Sequence, residues 1–348
     1  MHRPFRRQRQ RSNAAGSKKF TTLQRCRVPP PPPSSRSPPT SRRRTTKARL
    51  RSICGTPSPG AWHARRVHAH SRPPAVSGRF YPGRPAQLAE TVDELLDAAP
   101  LPARPGASMA VPQAVPKALI APHAGYVYSG PIAASAYVHL RAAAARIHRV
   151  VLLGPAHRVY VEGVALPAAS RFTTPLGALE VDAELAARVA ALPFVVHSDE
   201  AHALEHALEV QLPFLQRVLD HFTILPLVVG AASPTQVAAL LEQVWGGPET
   251  LIVISSDLSH YHGYDQARRL DADTAAQIVA NHGPGIDPKR ACGARCIDGL
   301  LELGRRRPLD IELLDLRSSG DTAGPRDQVV GYAAFCVHEY EHEHEVLP

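Results

Sequence analysis

Continuous apolar runs alternate along the chain with segments whose apolar residues recur every three or four positions. The runs lie within KALIA (117–121), HRVVLLG (148–154), FTILPLVVG (222–230), ETLIVIS (249–255) and DQVVGYAAFCVHE (327–339), and they are typical of strands covered on both faces of a sheet. The helical periodicity predicts helices at 85–98, 131–145, 183–192, 204–219, 234–245, 265–281 and 291–304. The alternation predicts an α/β fold, a sheet with helices on both faces.

Polar side chains follow three of the predicted strands where each strand ends. They are His123, His157 and, within SSDLSH, the pair Asp257 and His260. Ligands of such sheets bind outside the carboxyl ends of the strands, so these side chains would converge if their strands are neighbours. That would assemble a metal site from distant segments. Gly125 and Gly154, in the same turns, would allow close approach of a ligand to the backbone.

The segment SSDLSH offers proton-transfer groups. Asp257 could orient a histidine or hold a proton, and His260 could transfer one near neutral pH. In the alternative interpretation, residues 255–257 only cap a following helix. Cys292 lies at the start of a predicted helix, where the helix dipole would lower the thiol pKa, and Cys296 follows one turn later. Alternatively, both cysteines are small buried residues of a core helix.

A second motif competes with the strand ends. The sequence His202-Ala-Leu-Glu205-His206 matches H-x-x-E-H, the zinc-binding helix motif of inverzincin peptidases. On one continuous helix both histidines would share a face, with Glu205 placed to polarise a metal-bound water. No downstream helix offers a clear further glutamate ligand, so we do not expect a zinc peptidase.

Basic and acidic residues are distributed unevenly along the chain of 348 residues. Residues 1–72 contain 19 of the 40 lysines and arginines and none of the 31 acidic residues, so the remainder has 21 basic and 31 acidic residues. We expect 1–72 to be a disordered Arg/Pro/Ser-rich extension. Three explanations of this segment remain open: translation from a wrongly chosen upstream start codon, a targeting segment, or a nucleic-acid-binding arm. Residues 73–340 would form the α/β domain, 102–116 a linker or surface loop within it, and 341–348 a His/Glu-rich tail. Binding of nucleic acid by the folded part is not expected.

Eight motifs in order give the chain a family resemblance. They are VSGRFYP, APHAGYVYSG, LLGPAHRVYVEGVAL, FTTPLGALEVD, EHALEVQLPFLQ, SSDLSHY, ACG and SSGDTAGPRDQVVGYAAF. From about Pro73 to Glu339 the sequence resembles the Memo family, whose prokaryotic members are called AmmeMemoRadiSam system protein B. The resemblance implies an α/β fold with a mixed central sheet, similar to that of class III extradiol dioxygenases.

The resemblance also implies a site. Its metal ligands would be His123 of APHAGY, His157 of GPAH and Cys292 of ACG, with Asp257 and His260 as catalytic residues. The implied metal is Fe(II), with copper or zinc as alternatives because a thiolate ligand is soft. Further pocket residues are predicted at Tyr126, His206, Glu209, Asp321 and Arg326. His206 and Glu209 would line the pocket or tie the helix to loops, and Asp321 and Arg326 would contact an anionic substrate or form an internal ion pair.

Two functions follow from this resemblance. The first is a metal-dependent oxidoreductase related to the dioxygenases. The second is a non-catalytic metal carrier or a peptide-binding module. The family's system name implies an AMMECR-type protein and a radical S-adenosylmethionine protein as partners. We expect a cytoplasmic location, because the sequence has no apolar run long enough for a membrane helix and its sparse cysteines favour a reducing compartment.

Overall fold

The structure of the protein, a computed structural model, describes residues 70–100 and 115–340. The tail at 341–348, almost all of the predicted extension and almost all of the predicted linker lie outside the described residues. The predicted boundary at residue 73 differs from the structure, because Ser71–Arg72 forms a strand and the Arg72 side chain is buried within the fold.

Twelve strands are present among the described residues. They are β1 Ser71–Arg72, β2 Ala118–Ala121, β3 Arg149–Pro155, β4 Val164–Leu166, β5 Arg171–Thr174, β6 Gly177–Glu180, β7 Val195–His197, β8 Thr223–Val229, β9 Thr250–Ser255, β10 His260–His262, β11 Leu309–Ser318 and β12 Val329–Glu339. The five predicted strands correspond to β2, β3, β8, β9 and β12. The remaining strands are short or lie at edges.

Eight α-helices accompany these strands in the described ranges. They are α1 Pro85–Ala98, α2 Tyr126–Tyr137, α3 Ala183–Ala190, α4 Asp199–Ala203, α5 Leu212–Val218, α6 Pro234–Val244, α7 Tyr264–Ala280 and α8 Ala294–Gly304. Capping residues explain where several of these helices begin or end. Ser233 and Gln236 form a reciprocal capping box before α6, the Asp182 side chain caps α3, and Asn281 ends α7 in the left-handed conformation.

The predicted helix at 204–219 is present only in its second half, as the short helix α5. Helix α4 ends at Ala203, and after a single 3-10 turn at 209–211 the helix α5 begins at Leu212. Pro213 lies in the first turn of α5, a position that proline tolerates, whereas inside a longer helix it would remove a hydrogen bond. The break leaves residues 204–208 as an irregular segment.

A large mixed sheet forms the centre of the fold. Strands β2, β9, β3 and β8 are parallel neighbours in that order, and antiparallel strands extend the sheet on both sides through β12 and β4. Because β2, β9 and β3 run in the same direction, their carboxyl ends meet at one edge. A small separate sheet contains β1, β5 and β6.

Helices cover both faces of the large sheet, as the sequence predicts. Alternate residues of the central strands point to opposite sides, so that Leu119 and Leu152 pack with α1, α2 and α5, whereas Ile120 and Leu153 pack with α3, α6 and α8. The α/β fold with a mixed sheet is therefore confirmed. Among the described residues, no helix is both long enough and apolar enough to cross a membrane.

Candidate metal centre

His123 follows β2 directly, and its side chain is 1% exposed. Its Nδ1 lies 2.8 Å from Ser255 Oγ. That hydroxyl donates its only proton to the carbonyl oxygen of Ala207 and accepts from Gln211 Nε2, both at 2.7 Å. Ser255 can therefore only accept from His123, so Nδ1 carries the hydrogen and the lone pair of the neutral ring is on Nε2.

His157 follows β3 and is held by a buried carboxylate. Glu205 accepts the backbone N–H of His157 at 2.7 Å and lies 2.9 Å from its Nδ1. Burial raises the pKa of Glu205, but the hydrogen bonds from His157 and Ala207 outweigh it and lower that pKa to about 2. The ionised carboxylate accepts from Nδ1–H, which leaves the second ring nitrogen of His157 free to bind a metal.

His206 comes from the irregular segment between α4 and α5. Its ring stacks on that of His157 with centroids 4.8 Å apart, and its centroid is 5.4 Å from that of His123. The buried Nδ1 of His206 makes no hydrogen bond, although Glu205 Oε1 lies 3.5 Å away. A buried polar nitrogen without a hydrogen-bond partner costs free energy.

The three histidines form one compact group. One ring nitrogen of each lies within 4.8 Å of the corresponding nitrogen of the other two. Burial, and to a smaller extent repulsion from neighbouring histidines, lowers the pKa of His123 to about 3 and that of His206 to about 4. Both rings are therefore neutral at pH 7 and able to donate a lone pair to a metal ion.

Cys292 lies beside this group, just before α8. Its Sγ is 3.2 Å from His123 Nε2 and accepts the backbone N–H of Asp257 at 3.2 Å. Burial, with the nearby Asp257 carboxyl, raises the pKa of the Cys292 thiol above its usual range. This corrects the expectation that the helix dipole would lower that pKa, because removal from water is the larger effect here. Cys296 is fully buried in the core.

Asp257 and His260 line a common cavity, and β9 is followed by the short strand β10 and not by a helix. The cavity has a volume of about 440 Å³, and its lining also includes His206. Asp257 Oδ1 accepts the backbone N–H of His123 at 2.7 Å, and burial raises the pKa of the Asp257 carboxyl. The capping interpretation of residues 255–257 does not hold, because Ser255 instead bonds to His123 and Ser256 Oγ accepts the backbone N–H of Gly293.

Four of the predicted pocket residues do not line this cavity. Tyr126 is in the core, where its hydroxyl donates to the carbonyl oxygen of Val210. Glu209 is fully buried and binds Arg72, the Tyr81 hydroxyl and two backbone N–H groups. Asp321 and Arg326 form an ion pair with a separation of 3.8 Å. Their neighbours Ser319, Gly324, Pro325 and Gln328 line the cavity instead.

The H-x-x-E-H motif is divided between two environments. His202 Nε2 donates a hydrogen bond to the carbonyl oxygen of Ala165, 3.0 Å away. The His202 ring packs edge-on against Phe172. His206 alone joins the histidine group, because the helix ends at Ala203. The two histidines therefore do not form the ligand pair of an inverzincin helix, and the peptidase interpretation has no geometric support.

Gly154 has a different role from the one predicted. A Cβ at this position would lie 2.9 Å from Leu208 Cδ2 and 3.1 Å from Ala207 Cβ. The glycine therefore lets the irregular segment that carries Glu205 and His206 pack closely on β3. At Gly125, which lines the cavity, an added Cβ would meet its nearest neighbour at an ordinary 3.5 Å.

Fold and site together define an α/β protein with a histidine group at the carboxyl ends of its parallel strands. A family model described as "Memo-like protein" matches residues 72–336. The chain belongs to the Memo family. Among curated proteins, it is 34% identical over 279 residues to a MEMO1 family protein of Metallosphaera sedula, covering 76% of this chain and 98% of the relative. It is 33% identical over 275 residues to one of Aquifex aeolicus, covering 75% and 97%.

Proposed function

We propose that this Memo-family protein binds a transition-metal ion at the histidine group and uses it in redox chemistry on a ligand held in the adjacent cavity. The observation that carries the proposal is the convergence of one ring nitrogen each from His123, His157 and His206. Imidazole nitrogens are the donors that iron, copper and zinc share in proteins. His123 and His206, whose pKa values are lowered by burial, are neutral at pH 7 and can donate a lone pair to such an ion.

The hydrogen bonds around the group support this assignment. Ser255 and Glu205 fix the Nδ1–H tautomers of His123 and His157, so the lone pair of each neutral ring is on Nε2, which in His123 also contacts the Cys292 thiol. Metal-binding histidines commonly donate their second N–H to a carboxylate or another acceptor in this way. His206 Nδ1 is buried without a hydrogen bond, and in this proposal a bound ligand supplies its missing interaction.

Cys292 is the fourth donor in this proposal. The sequence resemblance implies His123, His157 and Cys292 as ligands, and the structure adds His206 to the candidates. The thiol lies 3.2 Å from Nε2 of His123, although it is outside the group of three histidines whose ligand nitrogens lie within 4.8 Å of one another. A sulfur ligand favours softer ions than a carboxylate does and makes the site itself oxidisable. Iron is proposed, with copper and zinc as the alternatives that a test must separate.

When bound, iron or copper would supply electron transfer and polarisation of a coordinated ligand. The protein groups would handle protons. Burial raises the pKa of the Asp257 carboxyl, which favours its protonated form, and His260 lies on the same cavity wall, where an imidazole can pass a proton to or from a ligand. His206 and Asp257 would orient the ligand where the cavity meets the histidine group.

Metal content is the first test. The full-length protein, purified anaerobically without an affinity tag, would be analysed by mass spectrometry beside His206→Ala, Cys292→Ala and His202→Ala. We expect stoichiometric iron in the wild type and in His202→Ala, and loss of metal in His206→Ala. His202 is the matched control, because it belongs to the same short motif but points into the core. Loss of metal in His202→Ala alone would contradict the proposal.

The redox part requires its own measurement. Oxygen uptake by the metal-loaded protein, with a panel of phenolic and other reductants, should exceed that of His206→Ala and depend on His260. Stoichiometric metal without turnover of any compound would favour the alternative, a non-catalytic metal carrier. In that case metal transfer to a chelator should be rapid, because His206 lines an open cavity through which a chelator could reach the ion.

A further inference from the structure

Tyr261 has a strained backbone beside the candidate metal centre. Among the described non-glycine residues, only Tyr261 and Asn281 have positive φ, at 62° and 48°. Asn281 ends α7, a position that asparagine often takes in the left-handed conformation. Tyrosine has no such preference, and a bulky residue with this backbone costs free energy that the rest of the structure must offset.

The strain coincides with an irregularity in strand pairing. In the pairing of β10 with β12, His260 lies opposite Val330 and His262 opposite Val329, with a register shift between them. Tyr261 is therefore the extra residue of a β-bulge. Bulges change the direction in which a side chain points, and they are common next to active sites. Here the ring of Tyr261 lies 5.7 Å from that of His260.

The redirected side chain lies at the mouth of the cavity. Tyr261 is 71% exposed, so core packing does not compensate for its backbone. Val127 and Tyr128, two more of the exposed large apolar residues, line the same cavity. Exposed apolar side chains grouped at one opening mark a binding surface. The inner wall adds the rings of Phe80 and Tyr332, next to His206 and Asp257.

We propose that Tyr261 is a ligand-contacting residue that determines specificity: the bulge holds its ring at the cavity mouth, where it packs on the planar face of an aromatic ligand. This rests on the proposed function in one respect, that the ligand occupies the cavity beside the metal centre. A glycine or an asparagine would adopt this backbone conformation with less strain. The backbone therefore does not require tyrosine here, and we attribute its presence to the aromatic side chain. Contact with the ligand ring then supplies the packing that the free protein lacks.

The test compares two bicyclic alcohols of similar size, the planar 2-naphthol and its saturated counterpart decahydro-2-naphthol. Their affinities for the zinc-loaded full chain would be measured by calorimetry, for wild type, Tyr261→Phe, Tyr261→Asn and Tyr160→Asn. Tyr160 is the matched control, because it is 77% exposed and does not line the cavity. Thermal midpoints and zinc content would be recorded for every variant.

We expect 2-naphthol to bind more tightly than the saturated compound, and Tyr261→Asn to weaken 2-naphthol about five- to tenfold. Tyr261→Phe and Tyr160→Asn should bind as wild type does. Tyr261→Asn should also unfold at the same or a higher temperature, because the backbone strain is relieved. Equal binding by Tyr261→Asn, or no preference for the planar probe in the wild type, would overturn the inference. Failure of the metal proposal would appear separately, as absence of zinc from the wild type.

Discussion

Glu205 Oε1 lies 2.9 Å from His157 Nδ1, and the same carboxylate accepts the backbone N–H groups of His157 and Ala207. One side chain thus joins the end of β3 to the irregular segment that presents His206. The acidic residue of an apparent peptidase motif is therefore a positioning residue, which orients the histidine of another strand and does not act on water.

Replacing Glu205 with glutamine should weaken metal binding. The Glu205 carboxylate receives three N–H groups, from the His157 backbone, the His157 ring and the Ala207 backbone. In the glutamine variant one carboxylate oxygen becomes an NH2 group, so at least one of these N–H groups would meet another donor. We expect metal affinity to fall about 10- to 100-fold, as measured by competition with a chromogenic chelator. Glu200→Gln, on the exposed side of α4, is the matched control. Equal affinities of the two variants would show that the carboxylate does not support the ligand.

Arg72→Met should strongly destabilise the protein. Arg72 pairs with the fully buried Glu209 and donates to the carbonyl oxygens of His202 and Glu205. Loss of the guanidinium leaves a buried carboxylate without its cation, which costs about 3–5 kcal/mol. Urea unfolding would measure this. Arg217→Met, which breaks an exposed pair with Asp93, should cost about 1 kcal/mol or less.

The double variant Arg72→Met, Glu209→Gln separates charge from packing. Removing both charges should recover part of the stability lost in Arg72→Met. If the double variant is no more stable than Arg72→Met alone, the loss comes from packing and backbone contacts, and the buried charge is not its cause.

Acidification should destabilise the metal-free protein. Burial lowers the pKa of His123 to about 3 and that of His202 and His206 to about 4, whereas in the unfolded chain histidine titrates at about 6.5. Between these values the unfolded state binds more protons, so stability falls as the pH falls through that window. Calorimetry in chelator from pH 7 to 4 should show a falling thermal midpoint, with a shallower fall in His202→Gln. A slope unchanged in that variant would contradict the explanation.

Gly154→Ala should lower both stability and metal affinity. The added methyl group would meet Ala207 and Leu208 at 2.9–3.1 Å in a buried contact, and overpacking of this kind costs about 1–3 kcal/mol. The displaced segment carries Glu205 and His206, so chelator competition should detect weaker binding as well. Gly125→Ala, with ordinary contact distances, should leave the unfolding free energy nearly unchanged.

The sequence predicts the strand ends of this site better than its remaining parts. His123 and His157 follow long apolar runs whose type is evident, and parallel neighbours bring them together. His206 was predicted only as a pocket residue, because its place depends on the end of α4 and on the contact between Glu205 and His157, which no local pattern reveals. Pro213 was the available sign that 204–219 is not one helix.

The strands absent from the prediction share a physical explanation. Six of them, β1, β4, β5, β6, β7 and β10, have two to four residues each, too few for a periodic pattern to be recognised. β11 alternates apolar and acidic residues near an edge, and its sequence LDIELLDLRS also suits a helix. Neither group contributes to the histidine cluster, so the candidate site could be located although much of the sheet could not.

The separation of His123 and Cys292 by 169 positions has a consequence for biosynthesis. A ribosome releases the amino-terminal half of the domain long before it releases Cys292, and the parallel strands that align the histidines come from distant parts of the chain. An ion that requires all four side chains therefore cannot guide early folding. Insertion of the proposed ion would therefore be a late event, which follows completion of nearly the whole domain.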